Sequence, residues 1–316
     1  KEAGIHGRLQ IEKFGIDKFN EGCRSLAIKY IDVWEDTVTR QGRWVDFKND
    51  YRTMDIDYME SVIWAFKTLH DKGYIYEGSR VLAYCTRCET PLSNFETRLD
   101  DSTRSRQDPS VTVLFRLNDS DRLPKNTYLL VWTTTPWTLP SNLGAAVGED
   151  IDYALFREGD KHYVIAANRI EAYQKQLANA EEIDRFKGEK LAGLTYTPLF
   201  DYFADTPNAF QVMAGDFVST EDGTGVVHTA PGFGEDDQKL CDVYGIPTIA
   251  PFDYQGKFDE RVSDYAGRHV FDTNKDIIKR LKKFTKSLFN GISFKFRIRF
   301  FQYTVKGFFQ PIRFVD

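Results

Sequence analysis

The run Tyr128-Leu129-Leu130-Val131 reads as a buried strand, and the chain just after it denies that strand any regular continuation. Eleven residues follow: Trp132-Thr133-Thr134-Thr135-Pro136-Trp137-Thr138-Leu139-Pro140-Ser141-Asn142. Threonine is β-branched and suits a strand end. Pro136 has no amide hydrogen and stops pairing where it stands. The expected product is a strand tip that holds hydroxyls between two indoles. Hydroxyls both donate and accept, and indole rings supply flat apolar walls. A bare run of threonines is most often an incidental strand and turn; the eleven residues together are far more specific.

A second stretch answers the first: Gly223-Thr224-Gly225-Val226-Val227-His228-Thr229-Ala230-Pro231-Gly232-Phe233-Gly234-Glu235-Asp236-Asp237. A short apolar strand enters a loop rich in glycine and proline, and three acids then open a predicted helix, where the macrodipole favours negative charge. Glycines let backbone approach a ligand closely. His228 and Asp237 lie nine residues apart across the turn. Taken singly, His228 reads as a satisfied structural histidine and Asp237 as a first-turn acid.

Together the two stretches resemble the editing domain of the isoleucyl-tRNA synthetase family. Residues 132–142 look like its threonine-rich motif, and residues 223–237 look like its acidic-loop motif. Two flanking segments, Gly42-Arg43-Trp44-Val45-Asp46-Phe47 and Asp71-Lys72-Gly73-Tyr74-Ile75-Tyr76-Glu77-Gly78, are similar to those that precede the editing insertion in that family. The resemblance covers roughly residues 1–282. Leucyl and valyl relatives carry an arginine after the threonine pair and lack the second tryptophan, whereas Thr135 and Trp137 stand here.

The resemblance implies an α/β plus β-rich chain. Residues 1–95 would be part of a class I Rossmann-type catalytic core. Residues 96–282 would be a β-barrel-like editing domain of the kind shared with valyl and leucyl enzymes, and residues 283–316 an atypical tail. The parent enzyme would attach isoleucine to tRNA(Ile) with ATP and magnesium, in the cytoplasm, as a monomer and away from membranes. This piece would hydrolyse valine from mischarged tRNA(Ile), with no cofactor. Isoleucyl-tRNA synthetase is itself the standard illustration of why a second site is needed, since one missing methylene is worth only about 1–3 kcal/mol in a binding pocket.

The resemblance also assigns residues. Asp237 would anchor the substrate ammonium. Thr133, Thr134 and Thr135 would hold the 3′-terminal adenosine of the tRNA, the valine ester and the water. His228 would line and size the amino-acid pocket, and Trp132, Trp137, Thr138 and Asn142 would shape its wall and loop. No Ser-His-Asp set is evident, so no general base is assigned and positioning carries the reaction. The competing reading is a non-catalytic tRNA-binding or structural fragment of the same synthetase, which intact Asp237 and threonines disfavour.

Cys85-Thr86-Arg87-Cys88 is a CxxC that can supply half of a four-ligand zinc site or can be a pair of buried thiols. The other cysteines, Cys23 and Cys241, fall inside predicted helices, so a zinc-ribbon module lacks its second pair. Four cysteines in 316 residues argue against a disulfide scaffold and fit a reducing compartment. The first residues, Lys1-Glu2-Ala3-Gly4, show no signal peptide and read as a cut inside a longer chain.

The net charge of −5 divides unevenly. Residues 279–316 carry ten Lys/Arg against one acid, leaving −14 on the rest. Nine of the 25 phenylalanines also lie between Phe284 and Phe314. Phe294, Phe296, Ile298 and Phe300 alternate with basic residues, which allows an RNA-stacking strand; a non-native end is the plainer reading. Upstream, apolar spacing predicts a helix over residues 19–34 and another over 57–72 closed by Gly73, then a strand at 81–84. Residues 96–109 read as a polar linker, followed by many short strands, one helix over 168–180, and a last helix over 235–244 closed by Gly245.

The class I ATP signatures HIGH and KMSKS are both absent from the sequence. The expected outcome is therefore no isoleucine-dependent ATP–pyrophosphate exchange by the purified chain, and robust exchange in that assay would contradict the reading.

Overall fold

The computed structural model describes residues 4–5, 8–100, 102, 106–288, 298–301 and 310–313. The chain forms two compact units, one of Lys1–Gly78 with Phe314–Asp316 and one of Ser79–Arg313.

The described part of the first unit is four helices: α1 (Arg8–Phe14), α2 (Ile16–Ile28), α3 (Ile31–Arg40) and α4 (Ile56–Asp71). The single helix expected over 19–34 is two. The Lys29 amide closes α2 on the Ser25 carbonyl, and Tyr30 leaves helical geometry at φ −119° and ψ 17° before α3 begins. Helix α4 lies where the spacing placed it, and Gly73 follows at φ 74° as its left-handed cap. None of the four helices buries a residue among those described; Trp34 and Trp64 are about two-thirds exposed.

The second unit holds the strands β1 (Ser79–Leu82), β2 (Tyr84–Cys85), β3 (Thr90–Pro91), β4 (Arg106–Pro109), β5 (Val111–Arg116), β6 (Thr127–Thr133) and β7 (Gly144–Val147). It continues with β8 (Asp152–Glu158), β9 (Lys161–Ala166), β10 (Glu181–Lys187), β11 (Gln211–Ala214), β12 (Val226–Thr229), β13 (Ile298–Phe301) and β14 (Gln310–Arg313). Its helices are α5 (Ile170–Tyr173), α6 (Glu235–Val243) and α7 (Asn274–Leu288). Eight strands make one mixed sheet in the order β10-β8-β9-β6-β12-β7-β11, with β5 added on β6. The small antiparallel pairs β1–β14, β13–β4 and β2–β3 complete the inventory of described strands.

Strand β6 is the hub. It pairs antiparallel with β5 along its length, Val111 opposite Thr133 through Arg116 opposite Tyr128. Its other edge is divided: Thr127–Leu129 pair in parallel with β9, and Trp132 pairs in parallel with Val227 of β12. Both faces of β6 are covered, as a continuous apolar run demands. Leu129 and Val131 enter the main core with Val113, Phe115, Leu155 and Val164. Tyr128 and Leu130 enter a second cluster with Phe156, Tyr163, Ile165 and Leu177. The period-2 alternation of strands thus feeds two cores from one sheet.

Several expectations over this unit are corrected. The polar linker at 96–109 contains a 3-10 turn (Glu96–Arg98) and strand β4, which pairs with β13. Its polar composition suits an edge strand, which needs no apolar alternation. The helix expected over 168–180 is reduced to α5 of four residues after a 3-10 turn, because the chain turns at Tyr173 and drops Leu177 into the second core. Strands β7 and β10 carried no sequence signal: β7 is Gly-Ala-Ala-Val and β10 is mostly charged. In the tail, Phe294 and Phe296 lie outside the described residues, as does the question of a non-native end.

Helix α6 is fastened to β1 by one side chain. Buried Gln238 accepts from the Val81 amide at 2.8 Å and donates to the Ser79 carbonyl at 3.0 Å, as a neighbouring strand would. Gln238→Leu should leave both backbone groups unpaired and cost about 2–3 kcal/mol. Thermal unfolding checks the loss, and hydrogen exchange should quicken at the Val81 amide before the β6 amides.

Candidate active site

Parallel neighbours run in the same direction, so β6 and β12 release their following loops at the same end of the sheet. The threonine-rich loop leaves β6 at Thr133; the glycine-rich loop leaves β12 at Thr229 and enters α6. Between them lies a cavity of about 300 Å³ lined by Trp132, Thr133, Thr134, Thr135, Trp137, Thr138, Val227, His228, Ala230, Phe233 and Asp237. Eight of the nine residues singled out as site candidates line it. The ninth, Asn142, is buried behind His228, where its amide nitrogen lies 3.4 Å from Nδ1.

The loop after β6 is held by its own hydroxyls. Thr133 Oγ1 accepts the Thr135 amide at 3.1 Å, and the Thr133, Thr135 and Thr138 hydroxyls lie 3.3 and 3.2 Å apart in sequence. The Thr138 hydroxyl donates to the Thr135 carbonyl at 2.7 Å and contacts His228 Nε2 at 2.7 Å. Pro136 opens a 3-10 turn over Pro136–Ser141. Trp137 packs edge-on against Phe233 and Phe271, and its amide donates to Asn274 Oδ1 of α7 at 3.0 Å. Trp132 is the more exposed indole, and Gly223 is required beside it: a Cβ there would sit 2.8 Å from the ring.

Asp237 occupies the third position of α6. Its carboxylate accepts the Ala230 amide at 3.1 Å rather than a helix amide, so it bends back toward the cavity. Gly234 makes room for it, because a Cβ at that position would lie 2.9 Å from the carboxyl carbon. Burial pushes the Asp237 carboxyl up to about 7; the Ala230 amide works against the shift and the neighbouring Asp236 adds to it. The side chain is half-buried at the cavity wall. Asp236 is exposed on the other side, and Glu235 is paired with Lys239 and Arg80. Burial pushes the His228 imidazole down to about 4, so it is neutral at pH 7.

Phe233, Val227 and Ala230 also line the cavity, and Tyr196 and Asn274 brace it from behind. Phe233 sits within the glycine-rich motif and was legible there as part of the loop, without a role. Tyr196 and Asn274 stand 54 and 137 residues from the groups they hold, and no local pattern marks them.

Cys85 and Cys88 lie on the β2–β3 hairpin, where the Cys88 amide donates to Cys85 Sγ at 3.3 Å. Burial opposes the Cys85 thiolate, but bonds from Cys88 and the charge of Arg87 outweigh it and pull this thiol below its usual range. The pair offers two of the four donors a structural zinc needs; among the described residues no group of three or more metal-ligating side chains exists. No helix among them is long and apolar enough to cross a membrane.

The profile of the tRNA synthetases class I (I, L, M and V) matches residues 1–219. The chain belongs to this class I synthetase family. The isoleucine–tRNA ligase of Rickettsia felis is 54% identical over 300 residues, 90% of this chain and 27% of that protein. That of Mycobacterium tuberculosis (strain H37Rv) is 53% identical over 286 residues, 89% of this chain and 28% of that protein. The synthetase chain thus spans about a quarter of the length of the curated relatives it matches. The editing domain of the P. falciparum cytosolic leucyl-tRNA synthetase is a looser likeness: TM-score 0.41 and 10% identity over 60% of this chain and 99% of that one, too loose to carry weight.

A carboxyl whose folded pKa is raised binds its proton more tightly when folded, so its ionisation removes stability as pH rises from about 4 to 7. Asp237→Asn in this class I synthetase should therefore raise the melting temperature at pH 8, with the gain shrinking as pH falls toward 4. Calorimetric scans of both proteins across that range check the sign.

Proposed function

We propose that the cavity is a hydrolytic editing site and that it removes valine from mischarged tRNA(Ile). One observation carries the reading: three consecutive threonines and a desolvated carboxylate, from stretches about a hundred residues apart, face each other across one small cavity. An aminoacyl ester needs little activation, so a docked ester, a held water and an anchored ammonium suffice.

Asp237 would pair with the substrate ammonium. The incoming cation restores the ionised carboxylate, and such charge-assisted bonds are the strong ones. Phe233, Trp137 and Val227 give the apolar wall against which the valine side chain would rest, with neutral His228 closing it. Thr133, Thr134 and Thr135 would hold the terminal ribose and the water. The water oxygen adds to the ester carbonyl carbon, the ester C–O bond breaks, and the released ribose oxygen takes up a proton as valine leaves. No side chain is assigned as general base. The ring nitrogens of His228 face Thr138 and Asn142, not a carboxylate.

The rest of the reading follows the relatives. The parent enzyme would join isoleucine to tRNA(Ile) with ATP and magnesium in the cytoplasm, as a monomer, and no residues here are assigned to hold either. Residues 1–95 would belong to its catalytic core, 96–282 to the editing domain and 283–316 to a tail of different character. Editing would need no metal; Cys85 and Cys88 would join a zinc site only with ligands from elsewhere.

Removing Asp237 would leave the substrate ammonium buried without its partner, a loss of several kcal/mol. Asp237→Ala should lower valyl-tRNA(Ile) hydrolysis by at least about 100-fold, equivalent to roughly 2.7 kcal/mol. Asp236→Ala should cost far less, since that carboxylate is exposed and away from this cavity. Single-turnover deacylation, with isoleucyl-tRNA(Ile) as the resistant control, decides. A dead Asp236→Ala beside an active Asp237→Ala would overturn the residue assignment.

A further inference from the structure

Behind the cavity wall runs a chain of hydrogen bonds whose direction is fixed at its buried end. Tyr196 is 1% exposed and its ring is clamped, stacked on Phe115 at 4.6 Å and edge-on to Phe210 at 5.9 Å. Its hydroxyl donates to Asn142 Oδ1 at 2.7 Å. Asn142 Nδ2 faces the Gly144 carbonyl at 2.7 Å, the Thr229 carbonyl at 3.3 Å and His228 Nδ1 at 3.4 Å. Backbone carbonyls only accept, so the amide nitrogen faces them, and the Tyr196 hydroxyl holds the oxygen at the opposite end. Burial holds the phenol well above its usual pKa, so it keeps its proton to donate.

The consequence reaches the cavity. Asn142 turns its N–H edge toward His228 Nδ1, and a proton on Nδ1 would set donor against donor. The ring proton therefore sits on Nε2, 2.7 Å from Thr138 Oγ1. The Thr138 hydroxyl receives that N–H and spends its own hydrogen on the Thr135 carbonyl. Nothing remains for it to donate, and the Thr135 hydroxyl at 3.2 Å can only donate to it. The Thr133 hydroxyl, 3.3 Å from Thr135, can follow in the same sense. Thr138 is then saturated, while the Thr133 and Thr135 hydroxyls each keep one lone pair, and no hydrogen, for anything in the cavity.

We propose that Tyr196 is a positioning residue for the candidate reaction: acting through Asn142, it helps hold the Nε2–H tautomer of His228 and so makes the Thr133 and Thr135 hydroxyls acceptors for the hydrogens of a held water. The tautomer follows from the hydrogen bonds alone; its effect on hydrolysis rests on the editing reading above.

The test uses long-range proton–nitrogen correlation spectra of the whole chain, with His228 assigned among the five histidines by His228→Gln. The expected native spectrum shows a protonated Nε2 and a bare Nδ1. Tyr196→Phe keeps the ring packing and deletes only the donor, leaving Asn142 Oδ1 buried without a partner and loosening the amide's hold beside His228. It should mix the two tautomers and lower kcat for valyl-tRNA(Ile) hydrolysis by about tenfold with little change in KM. Asn142→Asp supplies a second arm should Tyr196→Phe fold poorly: a carboxylate accepts from both Tyr196 and His228, so the proton should move to Nδ1. A native Nδ1–H tautomer, or tautomers unmoved by both variants, overturns the relay. A tautomer that moves with hydrolysis unchanged overturns the role in the reaction. A native chain that hydrolyses nothing sinks the editing reading, while the spectra still judge the relay.

Discussion

Covering β6 on both faces is the constraint from which the second unit follows. Tyr128 and Leu130 demand one core, Leu129 and Val131 another, and the only way to satisfy both is a strand inside a sheet with layers on either side. Its amides and carbonyls must then be paired along both edges. Strand β5 takes one edge, and β9 and β12 share the other. A strand so fully committed has little freedom at its end, and the threonines that follow are held by hydroxyl bonds of their own.

The site combines two buried titratable groups that burial moves in opposite directions, Asp237 upward and His228 downward. Both shifts favour the neutral form, so near pH 7 His228 is uncharged and Asp237 only partly ionised. A cation entering it would bring its own reason for Asp237 to ionise. Selectivity for an ammonium-bearing ligand then does not require a standing negative field, which would attract any cation.

The threonine-rich loop was legible as a local departure from a regular pattern, hydroxyls and a proline where a strand should continue; His228 and Asp237, bland taken singly, were singled out only through the resemblance of the two stretches to family motifs. The central strand and α6 were legible by periodicity, and Gly245 closes α6 at φ 67° as expected. What escaped was of two kinds. Strands β7 and β10 are held by neighbours, not by their own residues, since Gly-Ala-Ala-Val has little propensity and β10 sits at an edge. The braces Tyr196, Asn274 and Gln238 act across 54 to 159 residues, and only the folded sheet shows what they touch. Asn142 was singled out as wall, yet it belongs to that same hidden layer.

The parallel pairing of β6 with β12 has a bearing on how such a chain can change through descent. Thr138 and His228 touch across a separation of 90 residues because two neighbouring strands point the same way. Of the intervening chain, β8 and β10 lie beyond β9 at one end of the sheet order. Extra turns, lengthened hairpins or whole excursions can accumulate there without shifting the register of the two strands that carry the chemistry. The fold thus ties inheritance of the site to two short stretches and the few distant braces that hold them, and leaves the outer strands free to drift.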